Sequence, residues 1–273
     1  MAEELGLSFE EVAEEYDRVR PGYPDELVDT AMEVAGLAPD SPVLEVGPGT
    51  GKLTRLLVER GLAVDAVEPG TEMAAVAQRH VGDAVQFHAG RFEDVELPDD
   101  AFDALFSATA WHWVDPAVGW AKAARVLRPG GTLALLSYFG GSRTEVDLEL
   151  LAAWREVQPE AAAWEYRTSE ELWAGADERL GNVSELWSWL SRRELAVDEA
   201  AELFAPARVD AVASEIVESA DEYVGQVRTQ SQYLRLDAAR RARIEELLRG
   251  VLDAAGGTYR ATLFATLVTA RAS

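Results

Sequence analysis

The chain has 273 residues, 48% of them hydrophobic and 27% charged, which suffices for a large core and excludes a disordered or collagen-like polymer. Its 49 acids against 25 bases leave a net charge of −24, a surface that repels duplex nucleic acid and anionic membrane. Cysteine is absent, which excludes disulfides and thiolate chemistry, and no apolar run approaches the roughly 18 residues of a membrane helix.

The opening Met1-Ala2-Glu3-Glu4 is acidic where a secretory leader is basic, so a cytoplasmic protein is expected. A helix is predicted from Ser8 to Tyr16, interrupted at Arg20-Pro21-Gly22-Tyr23-Pro24 because proline cannot continue a helix interior. Asp25 to Ala35 forms a second helix, with Leu27, Val28, Ala31 and Val34 on one face. Val43-Leu44-Glu45-Val46 is a short apolar strand that runs into glycines.

Strands and helices then alternate. Strands are predicted at 63–67, 85–88, 102–107 and 132–137, with helices at 53–60, 71–80 and 118–127 between them, and a turn at Arg128-Pro129-Gly130-Gly131. This alternation implies a parallel sheet covered on both faces. It stops near Gly140. Residues 144–207 read as helical and hold Trp154, Trp164, Trp173, Trp187 and Trp189, most of which are expected to pack, with one or two lining an apolar pocket. Val209 to Val217 is a further strand. Ser219 and Glu222 have capping-box spacing and open a helix expected to reach Leu236. An amphipathic helix from Ala238 to Ala255 and a strand from Ala261 to Thr269 complete the chain.

The informative segment is Glu45-Val46-Gly47-Pro48-Gly49-Thr50-Gly51, between the first strand and a helix. Glycines there let a ligand approach the backbone, and in an open α/β sheet this point is the ligand crevice. A phosphate-binding P-loop fails, because position 46 is Val and Lys52 is followed by Leu53. A dinucleotide fingerprint is a near miss, with Lys52 where its third glycine belongs, and a nicotinamide-dependent oxidoreductase stays open on that ground. A third reading is S-adenosylmethionine, which carries no pyrophosphate and needs a tight turn plus a carboxylate at the next strand end. Glu68 fits that carboxylate.

These residues resemble class I S-adenosylmethionine-dependent methyltransferases. The stretch 43–51 is similar to their first motif, and Glu68-Pro69 with Met73 to their second. Leu97-Pro98 with Phe102-Asp103 and Val126-Leu127-Arg128-Pro129-Gly130-Gly131 resemble the segments at strands 4 and 5. Tyr16 with Arg20-Pro21-Gly22-Tyr23-Pro24, Ala110-Trp111-His112-Trp113, and the run of Asp221 to Val224, Thr229-Gln230-Ser231 and Gly256-Gly257 resemble the small-molecule branch related to trans-aconitate methyltransferases.

The resemblance implies a Rossmann-like seven-stranded sheet of order 3-2-1-4-5-7-6 with strand 7 antiparallel. Residues 1–143 and 208–273 would form the cofactor-binding domain, and 144–207 a helical insert between strands 5 and 6 serving as lid or substrate region. It implies cofactor contacts from Tyr16, Arg20, Glu45, Gly47, Pro48, Gly49, Thr50, Gly51, Glu68, Pro69 and Met73, and from Ala108 and Thr109 at the end of strand 4. Glu45 would organise the cofactor amine or the Arg20 segment. Members often carry an adenine-reading acid where this chain has Arg91, which cannot accept a hydrogen bond, so adenine would be read by the Phe92 backbone, by the Phe92 ring or by Glu93, with Arg91 also among the cofactor contacts. Trp111 and Trp113 would line the acceptor pocket, with His112 either taking a proton from the acceptor or only shaping the pocket. No cluster has metal-ligand spacing. The implied activity is methyl transfer to a small-molecule oxygen, carboxylate or nitrogen. The alternative from a different class is a non-catalytic cofactor-binding protein of the same fold, against which the intact Gly47, Gly49, Gly51 and Glu68 argue.

Overall fold

A computed structural model describes residues 7–140, 143–159 and 167–273. Seven strands form one sheet, β1 (Pro42–Val46), β2 (Ala63–Glu68), β3 (Val85–Ala89), β4 (Phe102–Ala108), β5 (Leu127–Gly140), β6 (Arg208–Ser219) and β7 (Thr258–Arg271). Their order is β3-β2-β1-β4-β5-β7-β6. The first five pair in parallel, and β7 runs antiparallel to both β5 and β6, as expected from the sequence.

The central strands are apolar on both sides because both faces are covered. On one face α1 (Asp25–Ala35) and α2 (Lys52–Glu59) bury Leu27, Val28, Leu53 and Leu57 against Val43, Ala104, Phe106 and Leu136. On the other, α3 (Pro116–Val126) buries Trp120, Ala123 and Val126 against Leu44, Leu105 and Leu133. At the start of α3, Pro116 occupies the first turn and Asp115 caps the Ala117 N–H at 2.9 Å.

The turn Arg128–Gly131 does not precede β5 but bulges within its pairing, looping out between the pairs Phe102–Leu127 and Ala104–Thr132. Strands β5, β6 and β7 are also longer than their apolar patterns suggest. β6 and β7 pair over their whole length and β5 from Thr132 to Gly140, so backbone bonding extends them past their buried residues.

The described residues of 144–207 contribute to two different cores. Helix α4 (Glu145–Val157), opened by a Thr144–Asp147 capping box, packs Leu150 and Trp154 against Ile244, Leu248 and Leu252 of α5 (Ala238–Ala254). That cluster sits on the end of the β6–β7 ladder, which continues beyond the last β5 pair at Gly140. From Leu172 to Ala207 the chain instead joins the main core, with Trp187 fully buried and edge-on to Phe139 at 6.3 Å. The Trp120 indole N–H donates to Leu195 O at 3.0 Å and ties this stretch to α3. Trp154 is buried and Trp173 and Trp189 are partly buried against the core, while Trp164 lies outside the described residues.

The helix opened by the Ser219–Glu222 capping box is Ala220–Arg228, and it stops short of Leu236. At Thr229 the hydroxyl donates back to Gln226 O at 2.8 Å, and the Thr229 carbonyl accepts from Arg20 at 3.0 Å instead of from the next turn. A tertiary bond ends a helix that local pattern would continue.

Candidate functional site

At the carboxyl end of β1 the chain makes three left-handed turns in five residues, with φ of +70° at Gly47, +58° at Gly49 and +84° at Gly51. Side chains are disfavoured there twice over. A Cβ on Gly47 would lie 2.4 Å from the Ala110 Cβ, and one on Gly51 would lie 3.1 Å from Ala77. Pro48 and Thr50 are buried between them.

Glu68 ends β2 and is buried. Its carboxylate accepts from the Gly49 N–H at 2.9 Å and from the Gly70 N–H at 2.8 Å, joining the two loops. Burial pushes its pKa up to about 7, against those two hydrogen bonds and with help from the neighbouring Glu10. Each oxygen keeps a further lone pair for a hydroxyl donor. Pro69 sits half-buried after it, and Met73 is buried with its Cε 3.4 Å from where a Gly49 Cβ would stand.

Glu45 lies on β1, and both its oxygens are buried without a hydrogen-bond partner among the described residues. Burial raises its pKa to about 8; Thr54 lowers it only in part and Glu68 adds to the rise. It is therefore a neutral carboxyl near pH 7, beside the glycine loop, with its hydrogen-bonding capacity unspent. Arg20 does not pair with it. The Arg20 guanidinium donates to Thr229 Oγ1 at 2.8 Å and to Thr229 O, and lies 5.3 Å from the Tyr16 ring centroid.

Tyr16 and Arg20 belong to a strap, residues 9–23, that packs on the starts of the helices following the glycine loop and Glu68. Tyr16, Phe9 and Ala13 pack with Met73 and Val76. Beyond Arg20, Tyr23 stacks on Tyr138 at 5.4 Å, and its hydroxyl shares a hydrogen bond with Thr109 Oγ1 at 2.7 Å. Thr109, just past Ala108 at the end of β4, has φ +53°. A β-branched residue in that region is strained, and such strain concentrates at functional sites. Lys52, where a phosphate-binding loop would point its cation at a ligand, instead donates to Asp17 O in the strap at 2.7 Å.

The adenine-side residues are more committed than expected. Phe92 is a core residue, packed against Trp111 at 5.8 Å with the Lys122 ammonium 5.2 Å from its ring centroid. Glu93 accepts from Arg91 at 3.0 Å and from the Asp115 N–H at 2.6 Å.

The two tryptophans expected in the acceptor pocket separate. Trp111 is buried against Trp120 at 5.2 Å and belongs to the core, because its helical turn faces the sheet. Trp113 stays partly exposed, with the Phe9 ring at 6.2 Å and the Arg193 guanidinium 5.3 Å from its centroid. His112 lies between them, 4.7 Å from the Trp113 ring. Burial first, and Arg193 second, hold its pKa down at about 3, so it is neutral across the physiological range.

Sequence reasoning missed Glu10 and Asp17, which lie in the strap beside Tyr16, and Tyr138 and Arg193, which reach Tyr23 and Trp113 from later in the chain. Among the described residues no group of three or more His, Cys, Asp or Glu could hold a metal ion.

Residues 44–135 match the family model of the methyltransferase domain. An uncharacterised methyltransferase of Mycobacterium tuberculosis is 45% identical over 133 residues, covering 49% of this chain and 53% of its own. The chain thus spans about half the length of the curated relatives it matches. A structure described as a type II methyltransferase from Anaeromyxobacter dehalogenans has a TM-score of 0.58 at 24% identity, covering 93% of this chain and 97% of that one. Haemonchus contortus phosphoethanolamine N-methyltransferase 2, solved with phosphomonomethylethanolamine and S-adenosylhomocysteine, has a TM-score of 0.50 at 14% identity, covering 96% of this chain and 57% of that one. At these identities the solved structures speak for the fold alone.

Proposed function

We propose that this chain is a class I S-adenosylmethionine-dependent methyltransferase that moves the methyl group of S-adenosylmethionine onto a negatively charged small molecule in the cytoplasm. The observation that carries the cofactor assignment is the pairing of the Gly47–Gly51 loop with Glu68, beside the unpartnered Glu45 carboxyl. The loop lets a ligand lie against backbone. Glu68 offers lone pairs for ribose hydroxyls, and Glu45 offers an acceptor near the amino end of the ligand, where the Tyr16–Arg20 strap closes over it.

When bound, S-adenosylmethionine supplies a methyl group already activated on sulfonium. The protein's part is orientation and exclusion of water, which can contribute roughly 7–11 kcal/mol. His112, held neutral, is a weak base and serves better as a fixed polar wall of the pocket than as a proton acceptor. That suits an acceptor already deprotonated.

Charge supports the same class of acceptor. In a chain of net charge −24, the Arg193 guanidinium lies over the Trp113 ring, and Arg20 engages Thr229 beside Tyr16. Arg193 and Arg235 are close enough that Arg235 helps depress the Arg193 pKa, after burial. Arg193 beside Trp113, with Arg235 near it, favours a carboxylate or similar anion. A polyanion such as tRNA would meet the acidic remainder of the surface. A nicotinamide dinucleotide fits less well, because the strap's Asp17 carboxylate lies 3.7 Å from Lys52 at the start of α2, where a pyrophosphate would bind.

The test is calorimetric titration with S-adenosylhomocysteine and with NAD, on the wild type and on Glu68→Ala. The homocysteine compound should bind the wild type and NAD should not. Loss of charged hydrogen bonds worth on the order of 1.5–3 kcal/mol each should weaken the variant at least about tenfold. Equal affinities in the two proteins would reject the ribose role, and preference for NAD would reject the cofactor. Turnover against a panel of small acids, followed by homocysteine release, separates an enzyme from a binding protein.

A further inference from the structure

Asp17 directly follows Tyr16 in the strap and is the hub of its attachment. Its backbone carbonyl accepts from Lys52 Nζ at 2.7 Å, and its Oδ1 lies 3.7 Å from the same ammonium and 3.6 Å from the Arg55 guanidinium. Its Oδ2 shares a hydrogen bond with His80 Nε2 at 2.9 Å. The Lys52 side chain is 13% exposed and that of Asp17 19%, so water screens this pair less than it screens a surface salt bridge. Lys52 and Arg55 lie on α2, directly after Gly51. His80 lies on the helix Thr71–Val81 that follows Glu68. One strap residue thus fastens to both helices that begin at the cofactor loops.

The neighbouring attachments are arranged the same way. Glu10 Oε2 accepts from Thr71 Oγ1 and from the Glu72 N–H, each at 3.0 Å, at the start of the helix beside Glu68. Arg20 reaches Thr229 on the far side. The strap is therefore held at its ends by bonds that leave the loop uncovered, and at its centre by the bond to the loop's own helix.

We infer that Asp17 and Lys52 are positioning residues: their pairing locks the strap over the Gly47–Gly51 loop and sets how tightly Tyr16 and Arg20 close on a ligand bound there. Neither residue need touch that ligand. The inference rests on the cofactor reading of this site, and it explains why a lysine stands where dinucleotide-binding loops carry glycine. With the pair intact, release of the ligand waits on breaking a partly buried, charge-assisted contact. With it broken, the strap opens without unfolding the sheet.

The experiment uses the full chain and two readouts. The first is the dissociation rate of S-adenosylhomocysteine by stopped flow in wild type, Asp17→Asn, Lys52→Met and Lys52→Arg. The second is the rate of trypsin cleavage after Arg18, followed by mass spectrometry with no ligand present. Asp17→Asn and Lys52→Met should each release the ligand about tenfold faster or more and be cut faster at Arg18. Lys52→Arg should stay near wild type in both, since it keeps the cation. Melting temperatures of all four proteins identify any variant that is globally destabilised. A wild-type release rate in Lys52→Met, or an Arg18 cleavage rate unchanged in Asp17→Asn, would overturn the lock. If S-adenosylhomocysteine fails to bind the wild type, the cofactor reading falls, and the Arg18 cleavage rates still decide whether the pair holds the strap.

Discussion

Replacing Glu45 by glutamine isolates a buried carboxyl that the fold keeps neutral. Its pKa rises from the ordinary 4.5 to about 8 on burial. The folded state therefore holds a proton that the unfolded chain gives up near pH 4.5. Stability from this group is fully present below that pH and is lost as pH rises toward 8, with a slope of about 1.4 kcal/mol per pH unit. Between pH 5 and pH 7 the wild type should thus lose about 3 kcal/mol that Glu45→Gln retains. Urea unfolding of both proteins at pH 5, 7 and 9 measures the difference, with the slope m as a check that the unfolded states match. The variant should gain on the wild type up to pH 8 and then run parallel to it. Curves parallel from pH 5 onward would show that Glu45 ionises normally, and would remove the argument that its oxygens await a partner. A second consequence concerns ligand binding. If a bound cofactor's ammonium stabilises the Glu45 carboxylate, so that its proton leaves to solvent, titrations at pH 7 in two buffers of different ionisation enthalpy should show more proton release in the wild type than in the variant.

His112 titrates near pH 3, so kcat for an anionic acceptor should be flat from pH 6 to 9, and His112→Gln should keep kcat within a few-fold while changing KM. An acid limb with a midpoint of 6 to 7 that disappears in the variant would restore His112 as a general base. Trp187→Ala removes a fully buried indole from the main core and should cost about 3–5 kcal/mol in urea unfolding. A loss under about 1 kcal/mol would mean that this stretch packs loosely, as a lid would, and not as part of the core.

The sheet order and the glycine loop could be read from the sequence because both are written locally. Strands such as Val43–Val46 are buried on both sides and, but for Glu45, apolar, as a covered parallel sheet demands, and the helices between them repeat every three to four residues. Gly47, Gly49 and Gly51 announce left-handed backbone that few other residues tolerate. The acid at a strand end, Glu68, is likewise a matter of position within one element. Tertiary structure alone decided what those elements exchange across the chain. Trp111 and Trp113 have the same local surroundings, yet one faces the sheet and is buried while the other meets Phe9 and Arg193 at the rim. The helix after Ser219 ends at Thr229 because Arg20, 209 residues away, takes its carbonyl and hydroxyl. The described residues of 144–207 divide between two cores according to what each stretch meets, α5 for Glu145–Val157 and the sheet for the stretch from Leu172 to Ala207. Lys52 looked like a flaw in a nucleotide motif until Asp17 arrived from the strap. The shifted acidities of Glu45 and His112 belong to the same class, because desolvation depends on everything packed around a group and not on its neighbours in the chain.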